Sequence, residues 1–349
     1  MNKIHLGEKK VRAAILGASG YAGAELVRLL SCHEFINIST LCGGKKIDLD
    51  YSEVFPHLRH LNLPKLISLE SVDFSSIDIV FSAMPHATSA FAIKDLPSNL
   101  KVIDLSADFR INDPEQYEYW YGVKHPYPEG LSNSVYGLTE YYRNKIKDAR
   151  IVACTGCNAA TALFPLLPIV KNRAIDLNSI IVDIKTGISG AGRSLKENLL
   201  HSETSEGVVP YSTSGHRHLG ELRQELTKAA GKFVDVSFVP HLLPQNRGIL
   251  GSIYVNGNAK ELHDILVSQY SNEYFISVLP LGDIPSTKHV RGSNFVHIGV
   301  ADGTKENQAI IFCVLDNLVK GSAGQAIQNA NIILNIEETH SLMSGPIFP

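Results

Sequence analysis

Cys157 lies in a local pattern that can turn a cysteine into a nucleophile. It follows Gly156, and the apolar run before it and the helical pattern after it predict a strand-to-helix turn. A cysteine at a helix N-terminus has its thiolate stabilised by N–H groups. The glycine would let a substrate carbonyl approach N–H groups that hold an oxyanion. The sequence therefore predicts a thiol nucleophile, with Pro165 and Pro168 expected to kink or shorten the following helix.

Two other interpretations of Cys157 stay open. An isolated cysteine is more often a buried structural residue, and Cys154 with Cys157 forms the CxxC spacing of redox and zinc sites. A redox pair would be expected in a thioredoxin-like domain, and a zinc site would need a second spaced pair, which the sequence lacks. We therefore expect a structural role for Cys154 and no metal site.

A candidate proton-transfer group lies further along the chain. Residues 212–226 read as a capped helix start, and His218 and Glu221, three apart, would share one helix face. The carboxylate can orient the imidazole and leave its other nitrogen to act as acid or base. His216 would point about 200° away from His218. We expect His218 and Glu221 to be catalytic; the alternative for either histidine is a surface position at a helix start.

A glycine-rich loop near the N-terminus predicts a dinucleotide site. It joins an apolar strand to a helix, the context that a dinucleotide fingerprint requires, although its spacing is GxxGxxG instead of the commoner GxGxxG. Glycines let backbone N–H groups approach a pyrophosphate, and the helix dipole favours the negative charge. A glycine-rich turn without a ligand is the alternative. The residues expected to bind the cofactor are Gly17, Ser19, Gly20, Tyr21, Ala22 and Gly23.

The end of the second predicted strand indicates which dinucleotide binds. An NAD site usually has Asp or Glu there for the ribose 2′-hydroxyl, whereas residues 39–46 (STLCGGKK) contain hydroxyls and two lysines but no acid. Lys45 and Lys46 would suit a 2′-phosphate, so NADP(H) is the expected cofactor. A solvated loop is the alternative for either lysine.

The pattern of apolar runs predicts two domains, as does the length of 349 residues. Strands alternate with helices up to about residue 153, which predicts a doubly wound parallel sheet of the Rossmann type. Later runs alternate apolar and polar residues like half-buried antiparallel strands, which predicts an α+β catalytic and dimerisation domain with a mixed, largely antiparallel sheet. The expected boundaries are 1–153 (NADP-binding), 154–318 (catalytic) and 319–349 (a helix and tail returning to the NADP-binding domain). The later strands are predicted at 179–186, 233–239, 249–255, 275–279, 295–299 and 309–315.

Composition excludes several functional classes. The net charge is −3 and no basic stripe is present, so nucleic acid and anionic membranes are not expected partners. No apolar run reaches the roughly 18 residues of a membrane span, and the first ten residues, which lack an apolar run, are expected to be a polar lead-in. Five scattered cysteines fit reduced thiols in the cytoplasm better than a disulfide framework.

An ordered set of motifs runs from about Val11 to the C-terminus. The motifs are 17–23 (GASGYAG), 54–58 (VFPHL), 84–87 (MPHA), 104–110 (DLSADFR), 120–122 (WYG), 135–138 (VYGL), 156–157 (GC), 189–193 (SGAGR), 216–218 (HRH), 246–250 (NRGIL), 291–294 (RGSN), 316–321 (DNLVKG) and 325–329 (QAIQN). This set resembles the N-acetyl-γ-glutamyl-phosphate reductase family of arginine biosynthesis, which is related to aspartate-semialdehyde dehydrogenase.

The resemblance implies a role for individual positions. Cys157 matches the family's catalytic cysteine, His218 its acid/base histidine and Glu221 the carboxylate beside it. Segments that match those near the nicotinamide add Ser189, Gly190 and Asn317 to the cofactor site. The family also implies a homodimer or homotetramer. An acyl phosphate with an α-carboxylate calls for arginines; Arg110 and Arg193 are the expected substrate ligands, with Arg217, Arg247 and Arg291 as further candidates.

The nucleophile segment departs from the family pattern. Thr155 and Asn158 stand where the family usually has proline and tyrosine around Gly-Cys. Asparagine after the cysteine also resembles relatives that reduce a carrier-bound aminoadipyl or glutamyl phosphate in lysine biosynthesis. Such a reductase, or a catalytically silent dinucleotide-binding regulator, is the alternative function.

The lysine pair generates a test of cofactor choice. We expect kcat/KM to favour NADPH over NADH, and Lys45→Glu to raise the KM for NADPH selectively, because a carboxylate would repel the 2′-phosphate. Steady-state kinetics with both cofactors measures this. A wild-type ratio near one would contradict NADP(H) preference, and wild-type behaviour of Lys45→Glu would make Lys45 a solvated residue.

Overall fold

The computed structural model describes residues 10–349, so nearly all of the predicted polar lead-in lies outside the described residues. None of the helices in the described part is long and apolar enough to cross a bilayer. The α-helices are, in chain order, α1 (Tyr21–Leu30), α2 (Tyr51–Val54), α3 (Ser89–Lys94), α4 (Pro114–Tyr121), α5 (Pro128–Ser132), α6 (Thr139–Asp148), α7 (Cys157–Lys171), α8 (His201–Thr204), α9 (His218–Ala230), α10 (Ala259–Tyr270) and α11 (Gly324–Ile333).

The chain forms two compact units. The first comprises the described residues up to Phe109, with His125–Cys154 and Ala326–Leu342, and the second comprises Arg110–Lys124, Thr155–Gln325 and Met343–Pro349. This division differs from the predicted one at four places. Residues 110–124, which carry α4, belong to the second unit, and Cys154 belongs to the first. Residues 319–325 stay in the second unit, and the last seven residues return to it.

The first unit is built on a parallel sheet of seven strands in the order β3-β2-β1-β4-β5-β7-β6. The order reverses between β1 and β4, which is the topology of a doubly wound fold. Buried apolar runs such as residues 13–16 form its centre, as expected for strands covered on both faces. The strands are β1 (Val11–Leu16), β2 (Ile36–Cys42), β3 (Leu66–Ile67), β4 (Ile79–Ser82), β5 (Lys101–Asp104), β6 (Ser134–Tyr136) and β7 (Ile151–Ala153).

The second unit is built on a mixed sheet in the order β12-β13-β14-β11-β8-β10-β9. Four of its strand pairs are antiparallel, and β8 with β10 and β12 with β13 are parallel. The two predicted sheet types are therefore confirmed. The strands are β8 (Ile181–Gly187), β9 (Val209–Pro210), β10 (Ser237–Leu243), β11 (Ile249–Asn256), β12 (Ile276–Val278), β13 (Val296–Asp302) and β14 (Gln308–Leu315).

One predicted strand is misplaced. The sequence predicts a strand at 233–239, but β10 begins at Ser237. Residues 233–236 instead close the turn after α9, where the N–H of Val234 donates to the Thr227 hydroxyl and the N–H of Val236 to the Asp235 carboxylate. These local bonds satisfy the backbone that a sheet ladder would otherwise use.

The prediction that prolines shorten the helix after Cys157 is wrong. Helix α7 continues through Pro165 and Pro168 to Lys171. Pro168 has no N–H, so the carbonyl of Phe164 loses its helical donor. The hydroxyl of Tyr270, on α10, donates to that carbonyl instead. A tertiary contact thus replaces the missing bond, and α7 stays whole.

Candidate active site

The glycine loop of the first unit has the geometry of a diphosphate cradle. Gly17 has a φ of +77°, and a Cβ there would lie 2.5 Å from the carbonyl oxygen of Ala83. A Cβ on Gly23 would lie 2.6 Å from the Cα of Ala18, so both positions require glycine for packing. Gly20, the N-cap of α1, is less crowded, since a Cβ there would make one ordinary contact, at 3.6 Å to the carbonyl oxygen of Gly17.

The start of α1 also offers donors. Among the described residues, α1 has Gly20 as its N-cap and no side-chain cap hydrogen bond. The first N–H groups of a helix have no intrahelical acceptor. Ser19 is partly exposed and Tyr21 is exposed; Ala22 is partly exposed. These residues fit the diphosphate of a dinucleotide, as the sequence predicts.

The end of β2 fits a 2′-phosphate better than a 2′-hydroxyl. Ser39 is turned toward β1, where its hydroxyl donates to the carbonyl of Ala13 at 3.1 Å. Lys45 and Lys46 follow the strand and are exposed. Two exposed cations without a neighbouring acid in residues 39–46 could hold an anion such as the 2′-phosphate.

Cys157 is the first residue of α7 in the second unit. Gly156 is the N-cap, and among residues 10–349 no side chain caps the helix. A Cβ on Gly156 would collide with the Nε2 atom of His218 and would lie 2.6 Å from its Cδ2 and 2.7 Å from the Oε1 of Glu221. The glycine is therefore required because the imidazole and the carboxylate occupy the space of a side chain. The structure brings the three predicted catalytic residues to one place.

Glu221 is fully buried and holds the backbone of the nucleophile segment. Its Oε2 accepts a hydrogen bond from the N–H of Gly156 at 2.9 Å, and its Oε1 accepts one from Arg110 at 3.3 Å. The Nε2 of His218 lies 3.9 Å from Oε1, which is an electrostatic contact and too long for a hydrogen bond. The carboxylate therefore contacts His218 but bonds to Gly156 and Arg110.

The predicted helix start at 212–217 is wrong, and so is the opposed orientation of the two histidines. Helix α9 begins at His218, with Arg217 as an N-cap that makes no side-chain cap bond. His216 precedes the helix, and its Nδ1 accepts a hydrogen bond from the N–H of His218 at 3.1 Å. The two rings therefore meet, with centroids 4.7 Å apart. The angle of about 200° expected between His216 and His218 does not apply, because only His218 lies in the helix.

The charge states of the site follow from its burial. Burial lowers the pKa of His218 to about 3, and the positive charges of Arg110 and Arg217 contribute to this lowering. Burial lowers the pKa of His216 to about 3 as well. Both imidazoles are neutral at pH 7, and the Nδ1 of His218 has no hydrogen-bond partner among the described residues. A neutral imidazole can accept a proton.

The thiol of Cys157 differs from the activated thiolate that the sequence predicts. Burial raises the pKa of Cys157 to about 11; the charge of Arg110 and the N–H of Asn158 lower it, and Glu221 raises it. The helix start does favour the thiolate, as predicted, but loss of water outweighs it. The resting thiol is protonated at pH 7, so a base must take its proton during the reaction.

Two contacts around Cys157 could not be inferred from sequence. The Oδ1 of Asn158 lies 3.9 Å from the Sγ of Cys157, and its Nδ2 donates to the hydroxyl of Tyr211 at 3.1 Å. Burial raises the pKa of Tyr211 to about 12, and the charge of a Cys157 thiolate adds to this. Tyr211 follows β9, a two-residue strand without a periodic signal. Thr155 donates to the side chain of Gln325 at 2.5 Å. Thr155 and Asn158, the two residues that depart from the family pattern, are therefore both hydrogen-bonded.

The other predicted ligands divide into two groups. Asn317 donates to the hydroxyl of Ser189 at 2.9 Å and accepts from the N–H of Gly248 at 2.9 Å. A Cβ on Gly190 would lie 3.8 Å from the Nδ2 of Asn317. These cofactor candidates lie together. The arginines have separate partners: Arg110 is paired with Glu221, Arg217 lies over the ring of Tyr121, and Arg247 is 3.7 Å from Asp316. Arg193 and Arg291 are exposed.

Comparison with known families shows which class of protein this chain resembles, the semialdehyde dehydrogenases. Residues 12–149 match the family model described as semialdehyde dehydrogenase, NAD binding domain, and residues 157–317 match semialdehyde dehydrogenase, dimerisation domain. The fold is similar to aspartate semialdehyde dehydrogenase II from Vibrio cholerae (TM-score 0.68, 18% identity, 94% of this chain and 99% of that one). It is also similar to aspartate semialdehyde dehydrogenase with NADP from Candida albicans (TM-score 0.67, 19% identity, 93% and 99%).

Sequence relatives narrow the class to one family. N-acetyl-gamma-glutamyl-phosphate reductase from Roseobacter denitrificans is 56% identical over 337 residues, covering 96% of this chain and 98% of its own. The enzyme of that name from Paracoccus denitrificans is 54% identical over 340 residues, covering 97% and 99%. The chain belongs to the N-acetyl-gamma-glutamyl-phosphate reductase family, as its motifs predict.

The two cysteines of the CxxC spacing generate a first test. Cys154 is buried, and Asn329 donates to its sulfur at 3.8 Å, whereas Cys157 is partly accessible at the helix start. We expect Cys157→Ser to lose nearly all turnover and Cys154→Ser to keep most of it. Steady-state assays of both variants, with circular dichroism to check folding, measure this. Equal loss in two folded variants would favour a redox pair instead.

The histidines generate a second test. A general acid/base contributes typically ~10²–10⁴-fold, so we expect His218→Asn to lower kcat by about that factor. We expect Glu221→Gln to have a milder effect and His216→Asn to change mainly KM. Steady-state kinetics on the three variants separates the roles. Near-normal kcat in His218→Asn would overturn the assignment.

Proposed function

We propose that this chain catalyses the NADPH-dependent reductive dephosphorylation of N-acetyl-γ-glutamyl phosphate to N-acetylglutamate 5-semialdehyde, a step of arginine biosynthesis. The observation that carries the proposal is the contact of Gly156 with His218 and Glu221, because it sets a neutral base beside the backbone of a thiol nucleophile. Membership of the family, over nearly the whole chain, supplies the substrate.

The first half of the reaction is acyl transfer to sulfur. The Sγ of Cys157 attacks the acyl carbon while its proton passes to His218. The bond between the acyl carbon and the phosphate oxygen then breaks, the oxygen keeps the electron pair, and solvent supplies the proton that the departing phosphate takes up. The product is a thioester on Cys157. The step starts from the protonated thiol and the neutral imidazole of the resting site, and burial, which raises the pKa of the one and lowers the pKa of the other, makes the proton transfer uphill.

The second half releases the aldehyde. A bound NADPH would supply the hydride that the thioester carbon needs. The carbon–sulfur bond then breaks, sulfur keeps the electron pair, and His218 returns its proton to the thiolate. The N–H groups of Cys157 and Asn158, which favour negative charge at the helix start, stabilise sulfur as it leaves. Gly17, Gly20 and Gly23 would hold the diphosphate, and Lys45 the 2′-phosphate.

Positive charge around His218 fits an anionic substrate. Arg110 and Arg217 both act on the pKa of His218, so they lie near the reacting group. Arg110, which is paired with Glu221, and Arg217, which lies over the ring of Tyr121, are both candidates to bind the phosphate. We also propose that the enzyme works as a homodimer or homotetramer in the cytoplasm; the dimerisation-domain match over residues 157–317 supports the assembly.

The substrate can be tested directly. We expect turnover of N-acetyl-γ-glutamyl phosphate with NADPH, and at least tenfold lower kcat/KM for β-aspartyl phosphate, the acyl phosphate that corresponds to aspartate semialdehyde. Phosphate-dependent oxidation of N-acetylglutamate semialdehyde with NADP⁺ provides a stable assay in reverse. Turnover of only a carrier-bound aminoadipyl phosphate would support the lysine-type alternative. Binding of NADPH without turnover of either acyl phosphate would support a silent regulator.

A further inference from the structure

Gly321 lies against the nucleophile. A Cβ built on Gly321 would lie 2.7 Å from the Cβ of Cys157 and 3.3 Å from its Cα. Carbon atoms in contact rest about 3.5–4.0 Å apart, so a side chain at position 321 cannot coexist with Cys157 where it now stands. Both crowded atoms of Cys157 belong to or adjoin its backbone, and neither can swing away as the end of a flexible side chain would.

A π-helical turn carries Gly321 to this position. The turn spans Val319–Ala323. Its i→i+5 hydrogen bonds join the N–H of Gly321 to the carbonyl of Asp316 and the N–H of Ala323 to the carbonyl of Leu318, both at 2.9 Å, and the N–H of Gly324 to the carbonyl of Val319. Such turns are rare and occur frequently at functional sites. The turn is followed at once by α11.

Contacts on both sides of Gly321 fix the turn. The buried carboxylate of Asp316 accepts hydrogen bonds from the N–H groups of Leu318 at 2.8 Å and Val319 at 3.1 Å. On the other side, the ammonium of Lys320 lies 5.3 Å from the ring centre of Phe164, which belongs to α7, the helix that Cys157 begins. The turn and the nucleophile helix are thus held together next to the sulfur-bearing residue.

We propose that Gly321 is a positioning residue for Cys157. Its backbone packs against the cysteine and so fixes the positions of the cysteine Cβ and Sγ. The chemical consequence rests on the proposed function, since it takes Cys157 as the nucleophile. A misplacement of about 1 Å can cost an enzyme roughly 10²-fold in rate. The Cβ of Cys157 would have to move by a distance approaching 1 Å, from 2.7 Å to about 3.5 Å, to escape the clash with the new methyl group.

The test is the Gly321→Ala variant. We expect kcat to fall about 10²-fold while KM for the acyl phosphate changes less than about twofold, because the substrate contacts stay and only the attacking atom moves. We also expect slower alkylation of Cys157 by iodoacetamide at fixed pH, with the pH profile moved upward, because Sγ leaves the N–H groups that favour its thiolate. Alkylation needs neither cofactor nor substrate.

A matched control separates positioning from crowding. Gly324 lies in the same segment, and a Cβ there would collide with the Oδ1 of Asn294 and would lie 2.6 Å from the Cγ1 of Val319; none of its three nearest atoms belongs to Cys157. We expect Gly324→Ala to lower the melting temperature as Gly321→Ala does, but to leave the alkylation rate and its pH profile within about twofold of wild type.

A double variant keeps the proposal testable if Gly321→Ala does not fold alone. Cys157→Gly removes the Cβ that the new methyl group strikes, so the loss of melting temperature caused by Gly321→Ala should shrink in that background. An equal loss in both backgrounds, or a fall in kcat with normal alkylation, would overturn the positioning role. If alkylation changes as expected but wild type does not reduce the acyl phosphate, the proposed function fails and the positioning of Cys157 stands.

Discussion

The site depends on one buried carboxylate. Glu221 is removed from solvent, yet it stays compensated because it accepts from the N–H of Gly156 and from the guanidinium of Arg110. Those two bonds connect α9 to the segment that carries the nucleophile and fix where His218, three residues earlier on the helix, can lie. A buried carboxylate with one partner removed is costly, so each of the three groups constrains the other two.

Burial gives the site its chemical character. The loss of water that raises the pKa of Cys157 also lowers the pKa of His218, so both groups rest uncharged. Two neutral partners can exchange a proton during the reaction without a charged pair having to be kept in a dry pocket beforehand. Arg110 and Arg217 favour the neutral imidazole of His218, since a nearby positive charge opposes its protonation.

The sequence predicts what depends on local pattern, and misses what depends on distant partners. Apolar runs and glycine spacing predict the parallel sheet and its diphosphate loop, because these features are encoded within short segments. Pro168 within an intact helix is different, since only Tyr270, far along the chain, explains it. The same holds for Tyr211 beside Asn158, and for residues 110–124, whose membership of the second unit no local pattern could indicate.

The histidine pair shows a second limit. A prediction from helical geometry was sound for His218 and Glu221, which lie one turn apart in α9, and failed for His216 because the helix begins two residues later than that position. An error of two residues is ordinary at a helix boundary. For His216 and His218, this error decides whether the two imidazole rings are expected to point apart or to lie in contact.

The protonated thiol also bears on how long such an enzyme lasts. Peroxides and adventitious electrophiles react with the thiolate, and the thiol is slow toward both. With a pKa of about 11, Cys157 presents little thiolate to them at rest and becomes vulnerable mainly during turnover, when a proton has moved to its base. Oxidative damage should then accumulate with the number of catalytic cycles, and an idle enzyme should age slowly.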